Sequence, residues 1–300
     1  MGRLFLQSFP VSLLQSFLAK RTSPASLGNP QAEMSFTDHI EELRWHIVRA
    51  LIAIIVVSVV VFFNIETIFD RVILGPAHPD FVAYKWFCTA GRAIGTDALC
   101  MDKLNLQFQN TELSGQFMMS FTTSFMIGFI VAFPYVFWEF WRFIKPALQE
   151  SEVKQAHGIV FWSSMLFFLG VLFSYYVIAP FTINFFANYQ LSPQFQNIIT
   201  MANYYETMTD LIMGMGLVFE LPVVVYFLAR VGILTPELMR KQRRFAVLII
   251  LVLAAVITPP DMFSIWLVAI PLLFLYELAI GIAARVTKKR KANRPPALDY

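Results

Sequence analysis

Acidic residues that stand in apolar or basic surroundings are the groups in this sequence that could do chemistry. Glu220 lies within the apolar run 211–226, and the nearest basic residue along the chain is Arg230. An ionisable group inside a membrane span is costly, so it is a functional candidate by default. The pattern favours a polar contact or a proton relay. The structural alternative is a protonated acid that donates to a carbonyl freed by Pro222.

A second group of acids lies among basic residues. Glu42 and Arg44 stand two positions apart in segment 38–49, which begins a charged amphipathic helix. Side chains at this spacing on a helix point in different directions, so the two are not simply each other's partners. Glu152 follows in the polar segment 145–152. Carboxylates beside so many basic residues indicate a site for a cationic ligand, and a solvated acidic loop is the alternative.

The composition predicts the elements that position these acids. Apolar residues make up 57% of the 300 residues and charged residues 14%, against roughly 45–50% and 25% in soluble proteins. We therefore predict an all-α polytopic membrane protein with six transmembrane helices, since a helix needs roughly 20 apolar residues to cross a bilayer. The predicted spans are approximately 46–63, 115–138, 159–179, 208–228, 245–258 and 262–284.

The distribution of basic residues predicts the orientation of these spans. Lys and Arg are retained on the cytoplasmic side of a membrane. The two termini and the loops 139–158 and 229–244 together carry 19 of them, and the opposite side carries 4, all in loop 64–114. Both termini are therefore predicted to be cytoplasmic.

The fifth apolar run is too short for an ordinary span. It covers 13 residues, 245–257, or roughly 20 Å at 1.5 Å per residue. Basic residues flank both ends of the unit 245–284, which favours a shallow helical hairpin that turns at 258–261 and thins the bilayer locally. A re-entrant segment is the alternative.

The chain is predicted to have three parts, which are an amino-terminal extension, a membrane domain and a carboxyl-terminal tail. Residues 1–33 form an extension with no acid before Glu33, which superficially suits a transit peptide. We expect a disordered extension or, as the favoured account, a start codon assigned too early. The membrane domain is predicted at 34–284, with a long external loop at 64–114, and a basic tail at 285–300. Cys88 and Cys100 both fall in that loop, where a disulfide and two unlinked thiols are both possible. Neither a metal-ligand spacing nor a nucleotide motif is present, so we expect no cofactor.

Six motifs in residues 36–284 make the chain resemble the TatC family, the multispanning subunits of twin-arginine protein translocases. They are HIEELR at 39–44, WRFIKPAL at 141–148 followed by Glu152, FELPV at 219–223, GILTPE at 232–237 followed by Arg243 and Arg244, TPPD at 258–261, and IPLLFLYE at 270–277.

The resemblance implies a translocase subunit rather than an enzyme. It implies a concave, glove-like fold in a bacterial inner membrane. Such a subunit recognises twin-arginine signal peptides of folded proteins at the cytoplasmic face. It assembles with single-span TatA- and TatB-type subunits, and as a homo-oligomer within the receptor complex. Transport is driven by the proton-motive force, and neither a cofactor nor a nucleic acid takes part.

The resemblance also implies roles for particular residues. Glu42 and Glu152 would contact the arginine pair, and Arg44 and Phe143 would shape the surface around it. Glu220 would lie in the concave face that receives an apolar segment of the signal peptide or a partner helix. The remaining family positions, which would shape the external side, are Pro76, Thr258 and Asp261.

Some positions differ from the family pattern, and two other functions fit parts of the sequence. Glu139 and Ile265 stand where Gln is frequent, and we expect Glu139 and Glu277 to snorkel or to pair with Arg142 and Arg285. A proton-coupled transporter that uses Glu220 is the first alternative function, although the two halves show no convincing repeat. An intramembrane enzyme is weaker, because no nucleophile and base share a depth in two spans.

Overall fold

The structure, a computed structural model, describes residues 36–97, 99–100, 106–145, 158–192, 194, 197–259 and 261–292, with the backbone alone at 36–39 and 290–292. The predicted extension 1–33, Glu152 and most of the basic tail lie outside these residues. The chain divides into two units, Met1–Glu42 and Leu43–Tyr300. The packing described here is that of the second unit.

Helices account for most of the described chain. They are α1 (Phe36–Phe62), α2 (Ile65–Ile68), α3 (Val82–Ala93), α4 (Gly115–Ile144), α5 (Ile159–Phe173), α6 (Ala179–Asn188), α7 (Met201–Val218), α8 (Leu221–Val231), α9 (Pro236–Lys241), α10 (Arg243–Ile257) and α11 (Met262–Ala292). A π-helical turn, Ser174–Ile178, joins α5 to α6, and another, Phe69–Ile73, follows α2; Gly75–Ala77 forms a 3₁₀ turn.

Five helical segments of the described chain are long and apolar enough to cross a membrane. They are Ile40–Phe62, Gly115–Ile144, Ile159–Asn188, Met201–Val231 and Met262–Lys289. Helix α10 has only 15 residues, or about 22 Å of helix. A short fifth helix is what the sequence predicted, whereas α11, with 31 residues, extends beyond the predicted span 262–284. The count of six spans stays a prediction.

The helices extend beyond the predicted spans. The third continues past residue 179 to Asn188, and the fourth begins at Met201 instead of near 208. Thr200 caps the latter, because its hydroxyl accepts a hydrogen bond from the Asn203 amide at 3.2 Å. The predicted limits follow the apolar runs, which indicate the part of a helix that lies in the hydrocarbon core of the bilayer. The helices themselves continue, with their backbone hydrogen bonds, into the polar residues beyond. Much of the predicted loop 180–207 is therefore helical.

The core of the second unit surrounds α7. Met208, Leu211 and Met215 on this helix are fully buried, and α7 packs against α4, α5 and α10. A smaller core lies between α8 and α11, where Ala229, Ala279 and similar small residues let the two helices approach closely. Most of the α1 span, by contrast, is exposed, with 17% of its apolar window buried.

One element was missed by the prediction of an all-helical chain. Strands β1 (Phe108–Gln109) and β2 (Ile199–Thr200) pair in parallel, with Phe108 opposite Ile199. The pair joins loop 64–114 to the segment before α7. Two-residue strands leave no alternating pattern in a sequence, so periodicity could not predict them.

Candidate functional site

The predicted signal-peptide residues lie at two helix ends. Arg44, near the start of α1, is exposed, and Glu42 is half-buried. Phe143 is half-buried in the last turn of α4. Its ring meets the His46 ring edge-on, with centroids 6.3 Å apart and planes at 60°. The structure thus brings Phe143 beside α1, while Glu152 lies outside the described residues.

A cluster of ionic and polar groups surrounds one buried carboxylate at the same end of α1 and α4. The Glu139 carboxylate is 1% exposed and accepts hydrogen bonds from His46 Nδ1 at 2.5 Å and from the Tyr135 hydroxyl at 3.0 Å. Two guanidinium groups reach it as well, Arg142 at 3.5 Å and Arg49 at 3.9 Å. We name His46, Arg49, Tyr135, Glu139 and Arg142 the Glu139 cluster.

For Glu139 the sequence left snorkelling and pairing with Arg142 open, and the structure has the pairing. Arg142 does pair with it, but the carboxylate is buried between two helices instead of snorkelling to a surface. The prediction for Glu277 was wrong in its partner, because Glu277 pairs with Arg243 at 2.8 Å and not with Arg285. A signal for the cluster existed in the sequence: His46 and Arg49 stand at the same predicted depth as Glu139.

Glu220 lies at a break between two helices. Helix α7 ends at Val218 and α8 begins at Leu221, with Pro222 in its first turn, where a missing amide proton does no harm. The side chain is 8% exposed. Its Oε2 accepts a hydrogen bond from the Ser163 hydroxyl of α5 at 2.7 Å, whereas Oε1 has no hydrogen-bond partner among the described residues.

Glycines let α5 and α7 approach closely beside Glu220. A Cβ on Gly170 would lie 2.6 Å from the Met215 carbonyl oxygen, and a Cβ on Gly216 would lie 2.9 Å from the Phe167 ring. Neither helix could hold a larger residue there at the present spacing. The Ser163 hydroxyl reaches the Glu220 carboxyl group because the helices cross at this distance.

Pro76 lies in a turn that tyrosine hydroxyl groups hold from three directions. Tyr84 of α3 donates to the Pro76 carbonyl at 2.5 Å, Tyr204 of α7 to the Ile73 carbonyl at 2.7 Å, and Tyr175 to the Val72 carbonyl at 2.7 Å. Burial raises the pKa of Tyr84 above its ordinary value, so its hydroxyl keeps the proton that it donates. The turn at residues 72–76 is therefore tied to three helical elements.

Cys88 and Cys100 are joined by a disulfide that closes a loop of 12 positions. The bond connects α3 to the segment that follows it. Of the two states that the sequence left open for these cysteines, the structure has the bridge.

Thr258 and Asp261 shape the hairpin between α10 and α11. The Thr258 hydroxyl donates to the Ala254 carbonyl at 2.9 Å, in the last turn of α10. The Asp261 carboxylate accepts from the Ser264 amide at 2.7 Å, which is an N-cap of α11. Both side chains serve the backbone of the turn.

Comparisons with known proteins show the family of this chain. The sequence profile of the TatC family, described as Sec-independent protein translocase protein, matches residues 38–271. The TatC protein of Blattabacterium from Periplaneta americana is 39% identical over 264 residues, which are 87% of this chain and 99% of the relative. That of Desulforapulum autotrophicum is 32% identical over 265 residues, or 88% of this chain and 89% of the relative.

Solved structures match the fold as well. A crystal structure described as the twin-arginine translocase receptor TatC superposes with a TM-score of 0.65 at 27% sequence identity. The superposition covers 83% of this chain and 99% of the chain in that structure. A second one, obtained in the detergent DDM, gives 0.66 at 26% identity, covering 82% and 99%. With five apolar helices of membrane-spanning length, the chain therefore belongs to the TatC family and is a multi-pass membrane component of the Sec-independent protein translocase, a transport protein and not an enzyme.

Proposed function

We propose that this chain is the subunit that recognises twin-arginine signal peptides of folded proteins at the cytoplasmic face of a bacterial inner membrane. It then assembles with single-span TatA- and TatB-type subunits, and with further copies of itself, for export driven by the proton-motive force. The observation that carries the proposal is the family match over residues 38–271, which includes every residue assigned to the peptide site.

In this proposal the arginine pair binds to two carboxylates. An arginine guanidinium is a planar fork that pairs with a carboxylate through two hydrogen bonds and cannot be neutralised by deprotonation. Glu42 and Glu152 supply the carboxylates, and Arg44 and Phe143 shape the surface around them. Two bidentate pairs would favour Arg-Arg over Lys-Lys, because an ammonium group lacks the matching geometry.

The proposed orientation has six spans with both termini in the cytoplasm. The distribution of Lys and Arg, 19 against 4, supports it. The disulfide between Cys88 and Cys100 supports it independently, because disulfides persist in the periplasm and are rare in the cytosol. Both cysteines lie in loop 64–114, which this orientation places in the periplasm.

Glu220 has a separate proposed role, as a polar contact for an apolar segment of the signal peptide or for a partner helix. Its Oε1, buried and without a partner among the described residues, favours a further hydrogen bond from a polar side chain in such a segment. The turn that contains Pro76 and the hairpin at Thr258 and Asp261 would hold the periplasmic side in shape for the partner subunits.

Photo-crosslinking of a twin-arginine signal peptide to membranes that contain the full chain tests the peptide site. We expect Glu42→Ala and Glu152→Ala to lower the crosslinked yield several-fold, and an Arg-Arg to Lys-Lys peptide to lose most of it. The neighbouring acids offer matched controls, because Glu41→Ala and Glu150→Ala remove the same charge one or two positions away. Equal yields from all four variants and the unaltered chain would overturn the assigned site.

A further inference from the structure

The Glu139 cluster has a geometry that the proposed function does not yet use. We propose that Glu139 and His46 are a positioning pair, which fixes α1 at His46 against the carboxyl-terminal end of α4 and so holds Arg44 and Phe143 of the signal-peptide site in their binding-competent arrangement. This inference rests on the proposed function of that site.

The pair is buried and joins distant parts of the chain. His46 is 7% exposed and Glu139 is 1% exposed, and they are 93 positions apart in sequence. The surrounding charged and titratable groups come from both helices, Arg49 from α1 and Tyr135 and Arg142 from α4. The single carboxylate thus lies between groups of both helices and attracts a guanidinium group from each, which offsets part of the repulsion between these two positive charges.

Helix α1 depends on such a contact because the rest of it is sparsely packed. Only 17% of its apolar window is buried. A second close approach is at Ser58, whose backbone nitrogen would be 2.9 Å from a Cβ on Gly128. That contact lies 12 residues beyond His46, or about 18 Å along the helix, which is too far to fix α1 at His46.

The pair is linked to the peptide site because its members lie close to Arg44 and Phe143 along the chain, and because the His46 ring packs against the Phe143 ring. Arg44 precedes His46 by two residues, and Phe143 follows Glu139 by one helical turn. The edge of the His46 ring also meets the ring of Phe143. Without the carboxylate, Arg49 and Arg142 would face each other and α1 would lose its anchor beside Phe143, so the site would spend less time in the competent form.

Removal of the carboxylate is expected to weaken peptide binding by lowering the population of the competent form. If that population falls to about a tenth, the apparent Kd rises about tenfold. The measurement is the Kd of a fluorescent twin-arginine peptide for the full chain in nanodiscs, with Glu139→Ala, Glu139→Asp and His46→Ala. Glu277→Ala is the matched control, because it removes an acid from the half-exposed ion pair with Arg243.

We expect a rise of about tenfold for Glu139→Ala and His46→Ala, partial recovery with Glu139→Asp, and less than a twofold change for Glu277→Ala. The double variant of Glu139 and His46 should bind no more weakly than either single variant, because both remove the same contact. A Kd for Glu139→Ala equal to that of the unaltered chain would overturn the inference.

A distance measurement separates positioning from a general loss of structure. Ile47 of α1 and Phe140 of α4 are both exposed, and spin labels on cysteines at these positions would report the separation of the two helix ends. The native cysteines are bonded to each other and do not compete for the label. We expect a broader distance distribution in Glu139→Ala and an unchanged one in Glu277→Ala.

Weaker binding with an unchanged distance distribution would also overturn the inference. If Glu139→Ala does not insert into membranes, Glu139→Gln, which keeps the shape of the side chain and removes its charge, serves in its place. Failure of the unaltered chain to bind the peptide would refute the proposed function, whereas the distance distributions would still test the pair.

Discussion

The crossing of α5 and α7 beside Glu220 predicts the effect of one added methyl group. In Gly170→Ala, the new Cβ would lie 2.6 Å from the Met215 carbonyl oxygen and 2.8 and 2.9 Å from two atoms of Phe219. The carbonyl belongs to the backbone of α7 and cannot rotate away as the end of a side chain could. The two helices must therefore separate, and with them Ser163 and Glu220.

The expected destabilisation is the difference of two effects. Overpacking a well-packed core typically costs about 1–3 kcal/mol, and three contacts that include backbone place this site near the upper limit. Alanine regains about 1 kcal/mol, because it is a better helix former than glycine. We expect a net loss of about 2 kcal/mol, or a melting temperature lower by roughly 4–8 °C at 2–4 °C per kcal/mol.

Thermal unfolding of the purified chain in a single detergent measures this loss. Gly281→Ala is the matched control, because Gly281 lies within α11 and its added Cβ would meet nothing within 4 Å. The control should melt at the same temperature as the unaltered chain or slightly above it. If Gly170→Ala melts with the control, the close crossing of the two helices is wrong.

Three further predictions concern single groups. Ser163→Ala removes the hydroxyl group that donates to the buried carboxyl group and should lower unfolding free energy by about 1–3 kcal/mol, whereas Ser164→Ala, whose hydroxyl bonds within its own helix, should change it little. Tyr84→Phe leaves a buried carbonyl without its donor and should cost about as much in the same assay. Cys88 and Cys100 should react with a membrane-impermeant maleimide on intact cells only after reduction, and Cys88→Ser should lower stability by about 3 kcal/mol.

Each of these has an outcome that contradicts it. Equal unfolding of the two serine variants would mean that the intramembrane hydrogen bond contributes nothing. A tyrosine variant as stable as the unaltered chain would mean that water replaces the lost donor. Labelling of the cysteines without a reductant would show that they are not bridged, and labelling only in broken cells would place their loop on the cytoplasmic side.

Features that depend on neighbouring residues were predictable. Gly232, with φ at 90°, is the left-handed cap that ends α8, and Thr235 is the N-cap of α9, with Pro236 as the first helical residue. Such caps depend on the residue types at one or two adjacent positions, so they can be predicted from the sequence. The short α10 was predictable for the same reason, since its length follows from one apolar run. The family itself was recognisable from short motifs, and the comparisons confirmed it.

Features that depend on how helices face each other were not predictable. The sequence indicated a carboxylate within the fourth span, but that Ser163, 57 positions away, donates to it follows from the spacing between α5 and α7. The parallel pairing of Phe108 with Ile199 likewise joins segments that no local pattern connects.

The hydropathy and charge of this sequence by themselves determined that it is a helical membrane protein, where its apolar runs lie and which acids are out of place in them. Only the tertiary structure decided which partner each acid has. Glu139 shows the reason: its neighbour in sequence, Arg142, was an obvious partner, yet the closest donor is His46 on another helix. Periodicity defines a buried face on each helix, whereas the rotation and separation of two packed helices depend on all the side chains between them.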